Sequence, residues 1–281
     1  MIQLSIFSIL LCILLNYHLK IYKHRLNLIH MNISFFEEFP TKQNLEKIKL
    51  VTWPTTLIIA AKSVSEFHTL TKSFPNHIES MYWPILEKSE GYWLSPFSSP
   101  IAVQRIISDI KNNGVKVMWD AELPFRHPWL FLRVDYFLRN IFTIKKSFKE
   151  YGRNISTGEY PIKNVFMQFF LTSLGVSFSP KRYGNKKIIM YYTSMHKVVS
   201  KLFLNNIQRL QQKYGDNLYV ALGTIAPGIL GNEPILQPEQ LEKDLQDMKN
   251  SGISEVVIFR LAGLNRQYVD ILRKYSSMVK R

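Results

Sequence analysis

The sequence predicts an α/β fold, a single (β/α)8 barrel preceded by a hydrophobic N-terminal segment. Three observations carry that expectation. After Met31, eight short apolar or β-branched runs alternate with eight longer segments of helical period. The alternation fills roughly 250 residues, the usual size of such a barrel. Hydrophobic residues are 46% of the chain and charged residues 20%, enough apolar material for one large core. Disordered and fibrous classes are thereby excluded.

In chain order, the expected strands are Ile33–Glu37, Thr56–Ala61, Ser80–Ile85, Val115–Asp120, Ile155–Tyr160, Lys187–Thr193, Leu218–Gly223 and Glu255–Arg260. The expected helical segments between and after them are Leu45–Leu50, Ser63–Phe74, Ile101–Asn113, Trp129–Tyr151, Val165–Leu174, His196–Tyr214, Pro238–Asn250 and Asn265–Met278. Gln237-Pro238-Glu239 opens a helix with proline in its first turn, Ser251-Gly252 closes it, and Asn113-Gly114 closes another. A doubly wound open sheet is the alternative, but no GxGxxG follows the first strand and no GxxxxGK[ST] occurs anywhere. One domain, residues 31–281, is expected behind the N-terminal segment.

Residues 1–30 contain no acidic side chain, and the apolar run Ile6–Leu15 is followed by Lys20, Lys23 and Arg25. The stretch Met1–Leu19 approaches the ~20 residues that span hydrocarbon, and it lacks the basic start and small-residue cleavage site of a signal peptide. Cations after the apolar run would leave the barrel on the cytoplasmic side of a membrane. The alternative is translation from Met31.

Lys+Arg 36 against Asp+Glu 21 gives a net charge of +15, which favours anionic partners. The single cysteine, Cys12, excludes an internal disulfide framework and a cysteine-based zinc site within one chain. Basic stretches at Arg139–Arg153, Lys181-Arg182 and Lys186-Lys187 read as solvated outer faces, which could also lie against anionic lipid. No nucleic-acid module accompanies them, so nucleic acid is not expected as a partner. Asn154-Ile155-Ser156 fits a glycosylation acceptor, a chance match for a cytoplasmic chain.

Barrel active sites form at the C-terminal ends of the strands. The residues there are Glu37 and Glu38, Lys62, Glu87, Asp120 and Glu122, Glu159, His196, Thr224 and Arg260. Carboxylates thus converge on one end of a basic chain. Asp120 and Glu122, two apart on an extended segment, project to the same side. Two close carboxylates cannot both ionise cheaply, so one keeps a proton beside a charged partner, as glycoside cleavage requires. Alternatively, Asp120 caps the next segment and Glu122 is solvated at the rim.

Asp120-x-Glu122-x-Pro124 after the fourth strand resembles the end of the D-x-D-x-E-x-P signature of chitinase-like glycoside hydrolases, and Met190-Tyr191-Tyr192 is similar to that family's M-x-Y. The resemblance implies Glu122 as general acid, Asp120 orienting it, and Tyr192 positioning a substrate acetamido group. It covers about a dozen residues, with Met118 in place of the signature's first Asp, Thr193 where the family has Asp, and no Trp closing the eighth strand.

Further site candidates are Glu159 and His196 as catalytic groups and Glu37, Trp83, Trp119 and Arg260 as substrate contacts. Tyr82, Tyr92, Trp93 and Trp129 lie near the same end, where flat faces could stack on sugars. Glu87 could also reach substrate. A competing site is the loop Gly223–Asn232, in which Gly228 and Gly231 with Arg260 could hold a phosphate. His196 with Asp120, Glu122 and Glu159 could instead bind a divalent metal, although no HxH or HExxH spacing supports one. No cofactor is predicted. The expected function is a hydrolase acting on a glycosidic bond of an oligosaccharide or small-molecule substrate. A phosphosugar- or phosphodiester-handling enzyme and a non-catalytic binding barrel are the alternatives.

Overall fold

The apolar and β-branched runs form eight parallel strands: β1 (Asn32–Glu37), β2 (Thr55–Ala61), β3 (Ile78–Pro84), β4 (Val117–Asp120), β5 (Ile155–Glu159), β6 (Lys186–Tyr191), β7 (Leu218–Gly223) and β8 (Glu255–Phe259). They close in sequence order into a barrel, β1 pairing with both β2 and β8. This is a computed structural model, and it describes residues 31–91, 94–123, 128–162, 164–195 and 201–276.

The helices are α1 (Lys42–Glu46), α2 (Val64–Thr71), α3 (Pro100–Asn113), α4 (Val134–Tyr151), α5 (Val165–Ser173), α6 (Pro180–Tyr183), α7 (Lys201–Tyr214), α8 (Pro238–Asn250) and α9 (Arg266–Tyr275). Proline at the start and Gly114, at φ +62°, fix the two ends of α3. The expected helix Leu45–Leu50 is the end of α1 plus a 3-10 turn, Lys47–Leu50. The four-residue α6 was not expected. The starts of the segments at His196 and the end at Met278 lie outside the described residues.

Alternation along each strand sorts the core into two parts. Phe36, Ile58, Met81, Trp83, Met118, Ile188, Ala221 and Val257 fill the barrel interior. The alternate residues, among them Phe35, Leu57, Ile59, Trp119 and Val220, pack outward against Ile106, Ile144, Phe148 and Leu245 of the helices. This parity decides which strand-end residues reach the mouth.

Among the described residues no helix is long and apolar enough to cross a membrane. The run that motivated a membrane anchor, in residues 1–30, lies outside them. Of the basic stretches, Lys146, Lys149 and Lys181 are exposed. Lys187 is buried within an ion pair and belongs to no solvated face.

Candidate active site

A cavity of about 370 Å³ opens at the C-terminal mouth of the barrel. Its wall includes Glu38 after β1, Trp83 of β3, Asp120 and Glu122 at the end of β4, Tyr160 after β5, Met190 and Tyr192 of the sixth unit, Glu233 of the β7–α8 loop and Phe259 of β8.

Asp120 ends β4 pointing inward, 3% exposed. Its register partner is Gly158 on β5. A Cβ at Gly158 would stand 3.3 Å from Met190 Cε and in ordinary contact, 3.4 Å, with Asp120 Oδ1. The Ala121 N–H still donates to Gly158 O at 3.2 Å, and the Glu122 N–H turns back to Asp120 O at 3.0 Å. Glu122 therefore sits half-buried at the rim, above Asp120, with both lining the same cavity.

Burial drives the Asp120 carboxyl well above the ordinary aspartate range, reinforced by the charges of Glu122 and Glu38. Trp83 acts in the opposite direction, yet its Nε1 and Asp120 Oδ1 are both buried without a hydrogen-bond partner of ordinary geometry among the described residues. Tyr160 and Tyr192 are likewise pushed up, by burial first and then by these carboxylates, and the Tyr160 hydroxyl bonds to Glu122. Both phenols stay protonated donors across the neutral range.

Several predicted residues are elsewhere, for one reason. They share strand ends with the site but have the outward parity. Glu159 faces the helix layer, where Thr157 Oγ1 (2.8 Å), Ser177 Oγ (2.6 Å), the Phe178 N–H (3.0 Å) and Lys187 Nζ (2.7 Å) all donate to it. It is a structural ion-pair partner, not a catalytic carboxylate of the mouth. Trp119 turns outward and meets Phe148 edge-on at 5.4 Å. Tyr82 also faces outward, against Phe67 at 5.6 Å. Glu37 is fully buried, accepting from Arg260 at 2.7 Å and from the N–H groups of Phe39 and Ala262. Burial raises its pKa against the opposing charge of Arg260.

The same pairing corrects the phosphate site. Arg260 also donates through Nε to Pro227 O at 2.7 Å and covers the Phe39 ring, so its guanidinium is committed to the protein. In the loop, the Gly231 N–H donates to Gly228 O and the Leu230 N–H to Glu233 Oε1. A Cβ at Gly228 would lie 3.0 Å from that carboxylate oxygen. A carboxylate thus occupies the place where an anion would have to bind.

Lys62 and Glu87 pair with each other on the surface at 2.8 Å, outside the cavity. Trp83 lines the cavity, edge-on to Phe36 at 5.5 Å. Trp129 is exposed, and His196, Tyr92, Trp93 and Pro124 lie outside the described residues. No group of three His, Cys, Asp or Glu among the described residues could hold a metal ion. Sequence reasoning missed Tyr160 and Phe259 in the cavity. Alternation from Gly158 and Val257 marks both as inward, a signal that was there to read. Glu233 sits in an irregular loop and had none.

No protein-family model and no curated protein sequence matches the chain. Solved structures do match its fold. The glycoside hydrolase domain of PgaB (BpsB) from Bordetella bronchiseptica is similar at TM-score 0.55 and 8% identity, covering 89% of this chain and 100% of that one. The C-terminal domain of a chitinase candidate from Desulfitobacterium hafniense DCB-2 matches at TM-score 0.54 and 9% identity, over 88% and 99%. The spore cortex-lytic enzyme SleL from Bacillus megaterium QM B1551 matches at TM-score 0.51 and 9% identity, over 89% and 75%. The chain is an α/β barrel of the kind these glycoside hydrolase-like proteins share.

Proposed function

We propose that this barrel hydrolyses a glycosidic bond in an acetamido-sugar oligomer, with Asp120 and Glu122 as the proton-handling pair. The observation that carries the reading is their placement. A buried Asp120, its carboxyl held well above the ordinary aspartate range, stands behind a half-buried Glu122 in a cavity walled by aromatic rings.

The pair holds one proton between its two carboxyl groups. Glu122, at the rim, delivers it to the glycosidic oxygen as the bond to the anomeric carbon breaks, while the charge left on the pair offsets the positive charge developing on the sugar. The Tyr192 hydroxyl holds the 2-acetamido group against the anomeric carbon, which spares the site a protein nucleophile. Water then adds to the anomeric carbon and its proton returns to the pair. Glu122→Gln, which keeps shape and loses the transferable proton, lowers turnover by about 10²-fold or more. The check is the initial rate of the full chain on acetamido-sugar oligomers and aryl glycosides beside that variant. Equal rates would refute the assignment.

A further inference from the structure

The cavity's charge is opposite to that of the molecule. The chain carries +15, yet the charged side chains lining the cavity among the described residues are Glu38, Asp120, Glu122 and Glu233, with no Lys, Arg or His. Two of their oxygens, Asp120 Oδ1 and Glu233 Oε2, are buried without a hydrogen-bond partner among the described residues. They come from separate elements, β4 and the β7–α8 loop. Glu233 is 9% exposed, and its other oxygen accepts the Leu230 N–H at 2.9 Å, which aims the carboxylate. Aromatic rings, Phe36, Trp83, Tyr160, Tyr192 and Phe259, line the same space. Carboxylates together with aromatic faces form the environment that holds an ammonium group.

From this juxtaposition we propose that the substrate carries a protonated primary amine, an unacetylated amino-sugar unit next to the one cleaved, and that Glu233 receives it. The proposal rests on the glycosidase reading for the sugar and on the charge distribution for the amine. The reacting unit keeps its acetamido group at Tyr192, and its neighbour contributes the cation.

The test is calorimetric binding of the full chain to two oligomers of equal length, one fully acetylated and one partly de-acetylated, with turnover followed in parallel. The expected result is at least about tenfold tighter binding of the amine-bearing oligomer. That preference shrinks with added salt and disappears once the pH is high enough to neutralise the amine. Glu233→Gln brings the two oligomers to within about threefold of each other. Equal or tighter binding of the acetylated oligomer by the wild-type protein overturns the proposal, whatever the variant does. Turnover of the acetylated oligomer without an amine preference leaves the glycosidase reading standing and removes the amine. An amine preference without turnover of either oligomer does the reverse.

Discussion

Asp120 concentrates the tension in this site, since a carboxyl group is buried beside two other acids with one oxygen unpartnered among the described residues. Its pKa is raised in the folded protein, so the folded state holds a proton that the unfolded chain releases near the ordinary aspartate value. The stabilisation is complete below that value and is lost as pH rises through the raised one. Asp120→Asn removes the penalty, and it should raise stability at neutral pH by on the order of 1–3 kcal/mol while leaving acid stability little changed. Thermal unfolding at pH 4 and pH 8 checks this. A variant less stable at pH 8 would contradict it. The same titration shapes turnover, which should fall as alkali strips the shared proton. At this scale Asp120 and Glu122 were legible from their spacing, and Tyr192 from its motif. Glu37, Trp119 and Glu159 were misread because position at a strand end was considered without the parity that turns a side chain in or out.

Elements carry the next set of consequences. The β5–β6 pair is pinned by Glu159 and Lys187, whose side chains are 2% and 3% exposed. Breaking a buried pair strands its partner, so Glu159→Gln should destabilise the fold by about 3–5 kcal/mol. The folded fraction should keep its turnover, since the pair faces away from the cavity. Denaturant unfolding and active-site-normalised rates separate the two effects. The loops after β7 and β8 touch as backbone, since a Cβ at Gly263 would come within 1.7 Å of Ile225 O. Gly263→Ala should therefore cost about 1–3 kcal/mol or more, read as a lowered denaturation midpoint. Strand positions were legible because each short apolar or β-branched run is followed by a longer segment of helical period, with β7 and α8 read to the residue. The starts of β3 and β4 shifted by about two residues, the ordinary uncertainty of element boundaries. The helix α6 was hidden because four residues are too few to show a period, though Pro180 and Gly184, at φ +72°, bracket it.

For the whole molecule, closure of the sheet follows from eight alternating units and explains why strand ends far apart in sequence share one cavity. The basic exterior was evident from composition and the gathering of Glu38, Asp120 and Glu122 at the mouth from the strand ends, whereas Glu233 was not, because it enters from a loop without a pattern. The central claim is that the Asp120–Glu122 mouth cleaves a glycosidic bond with water. Hydrolysis of an acetamido-sugar oligomer in ¹⁸O-labelled water, with fragments weighed by mass spectrometry, tests it most directly. The account predicts one ¹⁸O atom on the anomeric carbon of each newly formed reducing end, with label incorporation slowed by about 10²-fold or more in Glu122→Gln. Unlabelled, intact oligomer after prolonged incubation with folded protein, or equal labelling by the variant, would contradict it.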